Sequence, residues 1–111
     1  VQGRDELRAK QLLEEAQHLE AAGCDLIVLE CVPQNLAQQI TQALHIPTIG
    51  IGAGPHTDAQ VLVINDILGL TQQPPKFSKN FLLETGNIPD AMQKFVADVK
   101  QGGFPGVEHS F

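Results

Sequence analysis

Two apolar periods alternate along this chain, and their order narrows the folds open to it. Ala9, Leu12, Leu13, Ala16 and Leu19 recur at helical spacing opposite Arg8, Lys10, Gln11, Glu14 and Glu15, and Gly23 suits a helix C-terminus. That pattern predicts an amphipathic helix lying on something apolar. Leu26-Ile27-Val28-Leu29 then runs without polar alternation, so Asp25 to Glu30 reads as a strand of a parallel sheet covered on both faces. Pro33 opens a second predicted helix with Leu36, Ala37, Ile40, Ala43 and Leu44 as its inner stripe, and Pro47 to Ile51 is a second strand.

The second half of the chain is punctuated differently. Val61-Leu62-Val63-Ile64 is expected to be a third strand leading through Asn65 and Asp66 to Gly69, although Gln60 to Leu68 can also be drawn as helix. Beyond Pro74-Pro75, the spacing of Phe77 and Phe81 predicts a short helix stopped by Gly86. Asn87-Ile88-Pro89-Asp90 is a helix start, with Met92, Phe95, Val96 and Val99 on the apolar face and Gly102-Gly103 at the end.

Helices and strands in this order imply βαβ units and a parallel sheet. Three strands are too few to stand alone, because both outer strands would leave unpaired backbone groups. A (β/α)8 barrel takes about 250 residues, so the 111 residues here would supply somewhat less than half of one. The expected fold is therefore α/β, a portion of a (β/α)8 TIM barrel, with residues 1–111 forming part of a single domain.

Charge and composition exclude several classes of function. Thirteen acidic against seven basic residues give a net charge of −6, which disfavours a nucleic-acid or anionic-membrane surface. No apolar run approaches the ~18 residues of a membrane span. Cys24 and Cys31 form neither a Cys-x-x-Cys pair nor a disulfide framework, which favours a reducing, intracellular setting. Val1 is preceded by no initiator methionine and no leader-like pattern follows it, so the chain reads as a piece that starts mid-protein.

Glu30 is the leading candidate for chemistry. It places a carboxylate where an apolar strand meets the loop Cys31-Val32-Pro33, and a carboxylate in low dielectric is costly unless it is paired or its pKa rises. A solvated strand end is the competing reading. The glycines of Gly50-Ile51-Gly52-Ala53-Gly54 serve either close packing or ligand approach. They lack the Gly-x-Gly-x-x-Gly spacing of a dinucleotide site and the Gly-Lys-Ser/Thr ending of a P-loop. His18, His45, His56 and His109 share no metal-ligand spacing. Asp58 and Asp66 are equally natural as cation ligands and as cap or turn residues. Cys31 has no base in sequence reach and is expected to be a buried packing residue.

Four segments in order along nearly the whole chain carry a resemblance. Leu29-Glu30-Cys31-Val32-Pro33, Ile46-Pro47-Thr48-Ile49-Gly50-Ile51-Gly52-Ala53-Gly54, Pro75-Lys76-Phe77-Ser78-Lys79-Asn80-Phe81 and Phe104-Pro105-Gly106-Val107-Glu108-His109-Ser110-Phe111 resemble the ketopantoate (3-methyl-2-oxobutanoate) hydroxymethyltransferase family. The resemblance implies the C-terminal part of a TIM barrel, assembled into a homo-oligomer, usually a decamer, in the cytoplasm. It also implies Mg2+ as the metal and hydroxymethyl transfer from 5,10-methylenetetrahydrofolate to 3-methyl-2-oxobutanoate, giving 2-dehydropantoate on the way to pantothenate.

Glu30 falls where that family has its general base, and the resemblance implies a pKa raised by apolar neighbours and a reach to the substrate carbon next to the keto group. The family's metal-binding carboxylates lie in an N-terminal half with no counterpart here, so no metal ligand carries over. The remainder of the barrel is expected in the same or another chain, and these residues alone are expected to be inactive. Two alternatives stand beside this reading. One is a non-catalytic barrel fragment with a structural or assembly role, and the other is a different phosphoenolpyruvate-type barrel enzyme acting on a 2-oxo acid.

Overall fold

The computed structural model describes residues 1–111. Helix α1 (Glu6–Ala21) begins where the Asp5 carboxylate accepts the Arg8 N–H at 2.8 Å, satisfying one of the donors that a helix N-terminus leaves free. Strand β1 (Ile27–Glu30), helix α2 (Gln34–Ala43) and strand β2 (Thr48–Ile51) follow as a βαβ unit. The two strands are parallel, with Ile27 opposite Thr48, Val28 opposite Ile49, Leu29 opposite Gly50 and Glu30 opposite Ile51. Strand β3 (Ala59–Gln60) pairs parallel with β2, giving a sheet ordered β1-β2-β3.

The predicted third strand is corrected here. Val61-Leu62-Val63-Ile64 is not a strand: β3 lies just before it, and Ile64 opens the short helix α3 (Ile64–Ile67). The Val61 N–H still reaches the Gly50 carbonyl at 3.1 Å. Beyond that bond no strand lies outside β3 to continue the ladder, and Val61 and Val63 remain exposed. Leu62 instead packs beside the second core and Ile67 is buried within it. The other elements follow the predicted order: α4 (Phe81–Thr85) ends at left-handed Gly86, and α5 (Ile88–Gln101) runs from the Asn87 cap to left-handed Gly102.

Side chains separate into two cores. Ala16 of α1, Leu29 of β1 and Leu36, Ala37 and Ile40 of α2 pack with Val32, Leu44 and Ala53. Each large aliphatic residue buried there contributes about 1.5–3 kcal/mol. The Glu20 carboxylate ties α1 to the start of β2 by accepting the His45 and Ile46 N–H groups at 2.6 and 2.9 Å. The Ile46 N–H is the chief cause that holds Glu20 below its ordinary pKa. The second core joins Ile67, Phe81, Ala91 and Phe104, with the rings of Phe81, Phe95 and Phe104 meeting edge to face at 5.5–6.1 Å.

The sheet is covered on one side only, contrary to the expectation of two covered faces. Leu29 and Ile27 face the helices, and the Thr48 and Thr41 hydroxyls meet at 2.8 Å on that same side. Because side chains alternate along a strand, Val28 and Glu30 point to the other face, where Val28 is 53% exposed. The result is a two-layer piece rather than a closed barrel. Its extents of 44 × 26 × 20 Å and radius of gyration of 14.7 Å exceed the ~13 Å of a compact domain of this length.

Candidate active site

Glu30 is the last residue of β1, at its C-terminal end and on the uncovered face of the sheet. The carboxylate is exposed, so the apolar surround expected for it is not provided by these 111 residues. The reason is geometric: Ile27 and Leu29 of that apolar run turn toward the core, while Leu26 and Val28 are exposed like Glu30. Immediately afterwards Cys31 adopts φ 52°, a left-handed backbone that non-glycine residues rarely take. Such a conformation costs about 1–3 kcal/mol and persists where surrounding contacts over-determine it. Those contacts are present: the Cys31 N–H donates to the Ile51 carbonyl at 2.9 Å, its own carbonyl accepts the Gln2 N–H at 2.8 Å, and the Val32 N–H donates to the Gly52 carbonyl at 3.1 Å. Cys31 is half-buried with a free thiol rather than the buried packing residue expected from sequence.

The glycine stretch resolves to packing. Gly52 has φ +66°, and a Cβ there would lie 2.7 Å from the Phe77 ring. Gly54 has φ +76°, and a Cβ there would collide with the Gln34 side chain at the start of α2. The glycines let the segment after α3 and the start of α2 close down on the C-terminal ends of β1 and β2.

Each residue of the segment that closes down has an identifiable task. The Lys76 ammonium donates to the Ser110 carbonyl at 2.7 Å and sits 4.9 Å from the centre of the Phe111 ring. The Ser78 hydroxyl donates to the Pro75 carbonyl at 2.8 Å. Lys79 pairs with Glu84 at 2.8 Å, lies 3.8 Å from the nearly buried Asp98 and stands over the Phe81 ring. Asn80 caps α4 by accepting the Leu83 N–H at 3.1 Å. The tail returns to the same end of the sheet, where the Phe111 carbonyl accepts the Gln34 N–H at 3.0 Å.

Asp58 and Asp66 are engaged within the protein. Asp58 accepts the Thr48 N–H at 2.8 Å, and Asp66 accepts the Thr71 hydroxyl at 2.5 Å. No group of three His, Cys, Asp or Glu side chains comes together in a way that fits a metal ion. His18, His45 and His56 are exposed and separate. The ring of His109 lies tilted against Phe104, with centroids 4.9 Å apart, and its Nδ1 accepts the Gly106 N–H at 3.0 Å. Burial holds this imidazole below its ordinary pKa, and Lys79 acts in the same direction against the opposing pull of Glu108. A cleft of about 530 Å3, lined by Arg4, Asp5, Pro33, Gln39 and Phe111, does not include Glu30.

Sequence reading passed over the tasks of Lys76 and the tail carbonyls. Lys76 and Ser110 are 34 residues apart, and a lysine bound to a backbone carbonyl has no local signature. The Asn80 cap did have one, since an Asn directly before an apolar helix start is a standard N-cap pattern.

A parallel βαβ unit with a carboxylate at the C-terminal end of a strand defines a piece of an α/β protein. The family described as ketopantoate hydroxymethyltransferase matches residues 1–107, and the chain belongs to that family. It is 66% identical over 111 residues to the 3-methyl-2-oxobutanoate hydroxymethyltransferase of Saccharophagus degradans, covering 100% of this chain and 41% of the relative. It is 60% identical over 111 residues to the protein of that name from Photorhabdus laumondii, covering 100% of this chain and 42% of the relative. A protein of Schizosaccharomyces pombe named as the probable enzyme is 54% identical over 112 residues, again with 100% of this chain and 42% of the relative covered. The chain thus spans about two fifths of the length of these relatives. No helix is long and apolar enough to cross a membrane.

Proposed function

We propose that this chain is the C-terminal part of a (β/α)8 barrel that transfers a hydroxymethyl group from 5,10-methylenetetrahydrofolate to 3-methyl-2-oxobutanoate, giving 2-dehydropantoate, with Glu30 as the general base. The observation that carries the proposal is the position of Glu30, the last residue of a parallel strand and on the face of the sheet that no helix covers. Catalytic groups of barrel enzymes stand at the C-terminal ends of the strands, and membership of the family supplies the reaction.

In this reading the Glu30 carboxylate removes the proton on C3 of the 2-oxo acid, and the electron pair left behind is delocalised onto the keto oxygen. The nucleophilic C3 then bonds to the methylene carbon of the folate while the two C–N bonds that hold that carbon break; water supplies the hydroxyl oxygen, and tetrahydrofolate leaves with its two nitrogens protonated by the proton from C3 and one from water. The remaining strands close over Val28, Ile49 and Ile51, exclude water and give Glu30 the apolar surround it lacks here. Mg2+, when bound, would polarise the keto oxygen, and its ligands would come from the remainder of the barrel, as would much of the substrate contact. The completed protein is a cytoplasmic homo-oligomer, a decamer in this proposal. The 111 residues by themselves are inactive.

The test is proton exchange at C3 of 3-methyl-2-oxobutanoate in deuterated water, followed by NMR, in the full-length enzyme and its Glu30→Gln variant. Loss of exchange in the variant supports the assignment, and retained exchange overturns it. Intact-mass measurement of the purified protein tests the barrel reading, because a partner or longer chain supplying the other strands is required.

A further inference from the structure

The turn that carries Glu30 lies in a closed circuit of contacts. From Val32 the circuit passes through the N–H bond to the Gly52 carbonyl at 3.1 Å, and Gly52 is covered by the Phe77 ring. Lys76, next to Phe77, holds the tail through the Ser110 carbonyl at 2.7 Å and the Phe111 ring at 4.9 Å. The Phe111 carbonyl then accepts the Gln34 N–H at 3.0 Å, and Gln34 is two residues from Val32. Four separate parts of the chain are locked around a turn whose Cys31 holds a left-handed backbone at φ 52°.

One side chain joins two distant segments of that circuit. Segment 75–80 has neither helix nor strand around Lys76, Ser110 directly follows the 3-10 turn Val107–His109, and a cation on a flexible stem bonded to a carbonyl fixes one against the other. The Ser110 hydroxyl holds the tail only to Gly106 within the tail itself, so without Lys76 the tail loses its side-chain bond to segment 75–80, the Phe111 carbonyl is a less fixed acceptor for Gln34 at the start of α2, and the turn between β1 and α2 gains freedom. The carboxylate of Glu30 is displaced by that freedom because it directly precedes Cys31. Displacement of a reacting group by about an ångström costs on the order of a hundredfold in rate.

We propose that Lys76 is a positioning residue, which sets the aim of Glu30 by clamping the tail onto the N-terminus of α2. The proposal rests on the reading of Glu30 as the base. The experiment compares the full-length enzyme with Lys76→Met and Lys76→Arg variants, measuring kcat and KM for hydroxymethyl transfer and the rate of C3 proton exchange. For Lys76→Met, kcat and exchange are expected to fall together by about tenfold to a hundredfold, with KM for the 2-oxo acid changed less than about twofold. Lys76→Arg, which keeps a cationic donor of similar reach, restores most of the loss. Unchanged kcat and exchange in folded Lys76→Met, or a loss confined to KM or to thermal stability, overturns the proposal. Should Lys76→Met not fold, Lys76→Gln removes the charge and shortens the donor so that it no longer reaches the Ser110 carbonyl, with the same expected and overturning results. Failure of the base reading is seen separately: Glu30→Gln then retains exchange, whereas abolished exchange in Glu30→Gln beside an unaffected Lys76→Met refutes the positioning role alone.

Discussion

Glu30 and Ile51 stand opposite each other at the last register position of the β1–β2 pair, both on the face of the sheet that the helices leave uncovered. The pairing puts a carboxylate beside an apolar side chain at the end where the chain turns, and the other strands of the proposed barrel would enclose both. A base suited to a carbon acid needs such an apolar flank without losing access to substrate.

For the Glu30→Gln variant of the full-length enzyme, C3 exchange is expected to fall by about 10² or more, the usual contribution of a positioned base. Gln preserves size and hydrogen bonding, so the fold should persist and circular dichroism should match the wild type. NMR exchange rates on folded protein provide the measurement.

Gly52→Ala should destabilise the protein by about 1–3 kcal/mol, combining a strained left-handed backbone with a clash against the Phe77 ring. Gly103→Ala is the internal comparison, since the nearest atom to a Cβ there is 3.6 Å away. Its expected change is within about 0.5 kcal/mol. Urea midpoints of the two variants separate these outcomes.

Phe81 is fully buried and touches Phe95 and Phe104 edge to face. Phe81→Ala should therefore cost about 3–5 kcal/mol, and equilibrium denaturation reads the loss directly. If the second core were loosely packed, the cost would fall well below that range.

Stability should also depend on the proton at His109. Its folded pKa is lowered by burial, so the unfolded chain takes up a proton near the ordinary value of about 6.5 while the folded tail still resists it. The contribution is fully present above that value and is lost as pH falls through the lower folded pKa. Protonation also removes Nδ1 as acceptor for the Gly106 N–H. Melting temperature measured downward from neutral pH should fall more for the wild type than for His109→Asn.

Thr48→Val removes the hydroxyl that meets Thr41 at 2.8 Å and that accepts the Asp58 N–H at 3.2 Å. The Thr48 hydroxyl is fully buried, so the groups left without partners should cost about 1–3 kcal/mol. Hydrogen exchange at residues 48–51 would report the loosened strand.

Local rules made much of the fold legible. Helical spacing located α1, α2 and α5, and the Asn87 start and the Gly86 and Gly102 stops fell where the residue chemistry put them. The run Val61-Leu62-Val63-Ile64 misled because apolar, β-branched residues suit a strand only if a neighbouring strand accepts their backbone, and none lies beyond β3. The glycines favoured packing over ligand approach, and Phe77 and Gln34 against Gly52 and Gly54 supplied the packing partners.

By itself the sequence determined periodicity, capping, the end of β1 at Glu30 and, through four ordered segments, the family, because each is encoded in residues close along the chain. Tertiary structure alone decided which face of the sheet stays open, why Gly52 and Gly54 have no side chain, and that Lys76 holds a tail 34 residues away. Those are contacts between distant segments, whose partners no local pattern specifies and whose closeness depends on how the whole chain packs.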